Sequence, residues 1–393
     1  MRPLATILSF ALLAVSASPV AAQLIPADAE PEKVADGYRF TEGPAAGPDG
    51  CIYFTDIPAE LILKYDPETG ETETVVEESG QANGLMFRGN VLFSCEHGTR
   101  TIGCRGIVPD SLVDKVGPVV DEPPVARSYR NVRLNSPNDL DIDNAGNFYF
   151  TDPRYGNRDS MEMDIEGVYY IGLGEEVRSD QFDRLIPLRI IDDLTRPNGI
   201  VLSPDESILY VADNGTNEIF AYDVKAPGEI ENKRLFARLN DGEGGGADGM
   251  CVDALGRLYA SGQGKIWVYN PDGSSAGVIE VGPQCTNCTF AADGKTLYIT
   301  ANHGLYRIEL NTDEPLPAIE VGINKDGGIL FEGEVLTLDA FAGRIETMAS
   351  DNPVATFTVF ADPEAVYGDF VRVLDILKHN DFRDIQLRSP VTD

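Results

Sequence analysis

Six stretches of the chain open on a residue that can offer oxygen to a cation or exchange a proton. They are Glu42 (TEGPAAGPDGCIYFTD), Asn83 (ANGLMFRGNVLFSCEHG), Asn138 (PNDLDIDNAGNFYFTDPRYG), Asn198 (PNGIVLSPDESILYVADNG), Asp248 (ADGMCVDALGRLYASGQG) and Asn287 (TNCTFAADGKTLYITANHG). Two carboxylates and several amide oxygens, with little competing nitrogen or sulfur, suit a hard divalent cation whose shell solvent completes. Asn-Gly and Asp-Gly are most often turn formers, and for Asn83 or Asn287 taken singly that reading is the better one. Glu42, Asn198 and Asp248 taken together point to a metal, because acids that face one another need a cation or a proton to offset their repulsion.

For those residues to face one another, the elements behind them must converge. The six openings are spaced by 41, 55, 60, 50 and 39 residues, and each is followed by an apolar run, a Gly- or Asp-bearing turn and an alternating strand, the mark of a repeat architecture. Aromatic and β-branched runs such as Asn147 to Phe150 and Leu209 to Val211, bounded by turn residues, favour strands. Four short strands per unit, six times over, fit the blades of a propeller arranged around a central channel. A sandwich would not explain the repeated opening residue. The expected fold is mainly β: a six-bladed β-propeller over residues 24–312, with the opening residue of each innermost strand beside the axis.

The rest of the chain bounds the function. Its 31 Lys+Arg against 64 Asp+Glu give a formal net charge of −33 over 393 residues, which disfavours nucleic acid and anionic lipid as partners. Residues 1–22 read as an export signal, with Arg2, an apolar stretch from Leu4 to Val15 and small residues Val20-Ala21-Ala22. No later run approaches the roughly 20 apolar residues of a membrane span. The mature chain is thus expected to be exported, and its six cysteines to meet an oxidising compartment. Cys95 and Cys104 flank a hairpin tip and would bridge in a favourable register. Cys285 and Cys288 read as small core residues. The chain has no H-E-x-x-H signature, and Gly242 to Gly246 reads as a flexible rim leading into Asp248.

TEGP at 41–44, LNSPND at 134–139, RPNG at 196–199 and ADGM at 247–250, in that order and with FTDPRYG after the second, resemble the gluconolactonase / senescence-marker-protein (regucalcin-like) family of six-bladed propellers. The resemblance implies a lactonase in which Glu42, Asn198 and Asp248 hold one divalent cation, Ca²⁺ first and Mg²⁺, Mn²⁺ or Zn²⁺ as alternatives. It also implies that the cation polarises a sugar lactone, that Asn138 touches substrate or water on the metal, and that Asp248 is the acid/base. Animal members carry an Arg at the position of Ser136, where it faces substrate; Ser136 leaves the sugar open. His97 is expected at the channel mouth, either binding substrate or only bonding backbone, and Tyr155 and Arg154 are expected to line the rim. The rival reading, from another class, is a non-catalytic metal- or sugar-binding propeller acting as an envelope scaffold.

From Pro315 the grammar changes. Two strands around Lys325 to Gly328, a helix on Leu338, Phe341, Ile345 and Met348 with Thr337 as N-cap, a strand at Thr356 to Phe360, a helix on Val366, Phe370, Val373, Leu374 and Leu377, and a strand at Asp384 to Leu387 give a small α+β unit, ββαβαβ, over 316–393. This stretch, with its Tyr367-Gly368 turn before the second helix, resembles the periplasmic domain of the ExbD/TolR biopolymer-transport family. That family's transmembrane helix and its Asp are missing before Pro315, so the resemblance implies protein association, by self-association or by docking to the cell wall or envelope, and a periplasmic location.

Overall fold

The structure is a computed structural model that describes residues 24–108, 119–173, 185–239, 246–282, 284–312, 319–325, 327–331, 334–351, 357–361, 365–380 and 385–387. Residues 1–22, expected to be an export signal, most of the Gly242 to Gly246 rim and the linker after Thr312 lie outside the described residues.

Six antiparallel four-stranded sheets follow one another along the chain, the first five with their strands in sequence order. The innermost strands are Thr41–Ala46, Ala82–Arg88, Leu140–Ile142, Pro197–Leu202, Met250–Val252 and Cys285–Phe290. Each touches the next, and the sixth touches the first, so the blades form a closed ring. Blade 6 takes its outer strand from the beginning of the chain: Glu32–Asp36 pairs antiparallel with Gly304–Glu309, Glu32 opposite Arg307 and Asp36 opposite Gly304. That pairing closes the ring without a free sheet edge between the first blade and the last.

The core is divided into six wedges, one between each pair of neighbouring blades. Side chains alternate across a strand, so a run such as Ile52-Tyr53-Phe54 serves two wedges at once. Ile52 and Phe54 pack toward blade 6 with Tyr298 and Leu305, and Tyr53 packs toward blade 2 with Leu85 and Leu92. This accounts for second strands with no polar alternation, the five residues of Ile52–Asp56 and of Phe148–Asp152 being buried throughout.

The six cysteines are all free thiols. The ladder sets Cys95 opposite Ile102 and Cys104 opposite Phe93, so the bridge expected across that hairpin is out of register. Cys285 and Cys288 are buried in the wedge between blades 5 and 6, and the Cys288 sulfur stands 3.4 Å from that of Cys251.

The C-terminal unit is a five-stranded sheet with two helices, α1 (Leu338–Asp351) and α2 (Tyr367–His379). Phe341 and Ile345 of α1 and Val373 and Leu377 of α2 share one apolar cluster with Val321, Ile323, Phe331, Phe357 and Val359 of the sheet. The Thr337 hydroxyl accepts from the Ala340 N–H at 3.3 Å, capping α1. Two expectations change. The single strand expected from Ile329 to Leu336 is two short antiparallel strands, Ile329–Phe331 and Glu334–Leu336, and Tyr367-Gly368 is the first turn of α2 rather than a turn before it. No helix among the described residues is long and apolar enough to cross a membrane.

Candidate metal centre

Three devices carry the opening residues to the axis. Aspartates ending second strands accept the backbone N–H groups three and two residues before the opening residue. Asp56 binds Arg39 and Phe40 at 2.9 and 3.2 Å, Asp152 binds Asn135 and Ser136 at 2.8 Å each, and Asp213 binds Thr195 and Arg196 at 3.0 and 2.8 Å. A hydroxyl from the same strands then reaches a carbonyl of the next blade: Thr55 to Asn83 at 3.2 Å, Thr151 to Asn198 at 2.6 Å, Ser261 to Thr286 at 2.6 Å. Finally, the ladder slips beside Glu42, Asn83, Asn198 and Asn287, and such a bulge re-aims a side chain out of the regular pleat.

Glu42, Asn83, Asn138, Asn198 and Asn287 are each at most 6% exposed, and Asp248 is partly exposed. The structure adds a member that the repeat reading passed over: Asp139, next to Asn138, is 6% exposed and accepts from the Asn287 amide at 3.2 Å. Its signal was present in the sequence, since the residue after Glu42, Asn83, Asn198 and Asp248 is Gly and here it is Asp.

Burial raises the pKa of all three acids, and their mutual repulsion adds to it. Asp248 is pushed up to about 8, by desolvation first and then by the charge of Asp139, against a hydrogen bond from Asn198. Glu42 is raised by desolvation and by Asp248, against hydrogen bonds from the Gly43 N–H and Asn287. Asp139 is raised by desolvation and by Glu42, against the Leu140 N–H and Asn287. Burial and the positive charge of Arg154 lower His97 to about 4, so its imidazole is neutral, and its Nε2 lies 3.2 Å from the Asn83 amide nitrogen.

The remaining expected residues surround the mouth. Asn198 donates to the Tyr155 hydroxyl at 2.7 Å, which leaves its Oδ1 open. Asn138 makes no side-chain hydrogen bond to another described residue and is anchored through its backbone N–H to Thr151 at 2.9 Å. The Ser136 hydroxyl donates to the Pro153 carbonyl at 2.8 Å, which commits it to loop geometry. His97, Ser136, Tyr155, Arg154, Arg100 and Arg133 line one cavity of about 520 Å³ at the mouth of the ring.

Does this set suit a divalent cation? Among the described residues no three His, Cys, Asp or Glu gather closely enough to hold a metal on such groups alone, so amide oxygens have to contribute. The open Oδ1 of Asn198, together with two carboxyls whose ionisation burial resists, supplies hard oxygen donors and a reason to attract positive charge.

Comparison with known proteins agrees with this geometry. The sequence profile described as the SMP-30/Gluconolactonase/LRE-like region matches residues 40–303, and that described as biopolymer transport protein ExbD/TolR matches 303–390. A gluconolactonase of Zymomonas mobilis is 32% identical over 72% of this chain and 81% of its own. The diisopropyl-fluorophosphatase of Loligo vulgaris is 25% identical over 70% and 91%. Among solved structures, XC5397 from Xanthomonas campestris, described as a gluconolactonase, superposes with a TM-score of 0.62 at 29% identity, covering 74% of this chain and 91% of that one. With six blades, the four ordered motifs at the ring and a profile match spanning most of the propeller, the chain belongs to the SMP-30/gluconolactonase/LRE-like family.

Proposed function

We propose that the protein hydrolyses sugar lactones at the ring of acids and amides, with one divalent cation, Ca²⁺ first, held by Glu42, Asn198 and Asp248. The observation that carries this reading is a carboxyl raised to about 8, Asp248, set among oxygen donors beneath an open polar mouth. When bound, the cation supplies Lewis acidity to the lactone carbonyl and offsets the charge that develops on its oxygen. The chain's own residues do the rest. Asp248 takes the proton of the attacking water and returns it to the leaving alkoxide of the opened ring. Asn138, with its amide uncommitted, binds the substrate beside it. The neutral His97 offers its ring to a sugar hydroxyl, and Tyr155 holds the Asn198 amide in place while facing the same cavity.

Support for this reading also comes from the relatives named gluconolactonase and L-arabinolactonase. Residues 1–22 as an export signal support a periplasmic place of action, and the ExbD/TolR-like unit supports an association role beside catalysis. The test is hydrolysis of a panel of aldonolactones by the purified protein, after chelation and after return of Ca²⁺, Mg²⁺, Mn²⁺ or Zn²⁺. Turnover that chelation abolishes and one of these ions restores is the expected result. Tight cation binding with no turnover of any lactone would replace this reading with the scaffold.

A further inference from the structure

The mouth over the ring carries a charge opposite to that of the molecule. In a chain with a net charge of −33, Arg100, Arg133 and Arg154 line one cavity together with His97, Ser136 and Tyr155. Neutral acceptors hold these guanidinium groups in position. Arg154 donates to the Asn157 carbonyl at 3.0 Å, the Asn135 carbonyl at 2.8 Å and the Ser160 hydroxyl at 2.5 Å. Arg133 donates to the Thr99 carbonyl at 3.1 Å. Neither makes an ion pair with a described acid. Arg100, 5% exposed, donates to the carbonyls of Leu134 and Ser160. It pairs with the half-exposed Glu162 at 3.5 Å, and Asp152 also acts on its charge. The Arg100 Nη2 is buried with no partner at all.

Two of the other acids near the mouth are committed elsewhere: Asp152 to the backbone of Asn135 and Ser136, and Glu166 to Arg158 at 3.0 Å and to the Arg154 N–H. A buried guanidinium N–H without an acceptor is costly. Three like charges around one cavity repel one another, and a carboxylate or phosphate placed there would offset that repulsion.

We propose that this rim is the subsite for an anionic group on the substrate, so that the lactones the protein prefers are those of acidic sugars, bearing a carboxylate or phosphate away from the reacting carbonyl. The inference rests on the lactonase reading and names its substrate class. The acids of the ring alone would repel such a molecule, and the arginines between them and solvent reverse the sign of the field it meets on entering.

The experiment compares kcat/KM for gluconolactone, glucarolactone and phosphogluconolactone, using the full protein with its activating cation. At least one acidic lactone is expected to exceed gluconolactone by about tenfold at low salt, with the advantage shrinking as salt is added. Arg133 is exposed and bonds only a loop carbonyl, so Arg133→Gln tests the rim without disturbing the core. It should lower the acidic-to-neutral preference about tenfold through KM, as expected for one charged hydrogen bond. Lys225→Gln removes an equal charge from an exposed pair with Glu231 on blade 4 and should keep the wild-type preference. Equal or better turnover of gluconolactone, or an unchanged preference in Arg133→Gln, overturns the inference and leaves the lactonase reading standing. Failure to open any lactone overturns both.

Discussion

In the proposed reading Asp248 is where cation binding and proton transfer meet, and the two demands on it can be separated by measurement. Replacing Asp248 by Asn or Glu42 by Gln keeps the shape and removes one ligand charge, so divalent-cation affinity should fall in each variant, and Asp248→Asn should also abolish turnover. Calorimetry finding both affinities unchanged would refute a shared site. The same carboxyl sets the pH response. With its folded pKa raised to about 8, the metal-free protein retains a proton there that the unfolded chain gives up in the ordinary carboxylate range. The stability of the metal-free state therefore declines as pH rises towards 8. Cation binding must expel that proton, so affinity should climb between pH 6 and 8 and level off above. At this scale the sequence disclosed the residues that repeat and hid those that do not. Glu42, Asn198 and Asp248 stood out because each opens a unit. Asp139 is a departure from the repeat, and Arg100 and Arg133 reach the mouth from hairpin and loop positions that no period marks.

Between the elements, the glycine after an opening residue has a purpose that turn statistics do not describe. Asn198-Gly199 lies within the strand Pro197–Leu202, and Gly249 directly precedes Met250–Val252. A Cβ on Gly199 would overlap the Asp248 carbonyl, and one on Gly249 would overlap the Asn287 side chain. Absence of a side chain thus lets neighbouring innermost strands approach closely enough for their opening residues to share one site. Gly199→Ala should cost about 1–3 kcal/mol in urea unfolding, as overpacking commonly does, and should weaken cation binding because Asp248 has to move. A denaturation midpoint equal to wild type would show that the strands can part freely. The sequence exposed the strands and their order, since two-faced burial writes long apolar runs. It left the bulges out of view, because a slip beside Glu42 or Asn198 depends on how two strands are paired rather than on either one.

At the level of the whole molecule the argument turns on how the ring is closed. The sixth unit supplies three strands of its blade, and the stretch ahead of the first unit supplies the fourth. The pairing of Glu32–Asp36 with Gly304–Glu309 is that closure. Both ends of the propeller are tied down locally: the Asn311 N–H donates to the Leu24 carbonyl at 2.9 Å, and the Thr312 carbonyl accepts from the buried Arg257 at 3.0 Å. The C-terminal sheet and its two helices have an apolar cluster of their own, so neither unit borrows core residues from the other's cluster. Ending the chain after Thr312 should therefore give a fragment that unfolds cooperatively and binds the cation as the full protein does. Starting it instead at Gly37 removes the closing strand, exposes the edge of Gly304–Glu309 and should lower the unfolding midpoint sharply. If the fragment ending at Thr312 is insoluble or unfolds without cooperativity while the full chain folds, the C-terminal unit is part of the propeller's stability and the division after Thr312 is misplaced.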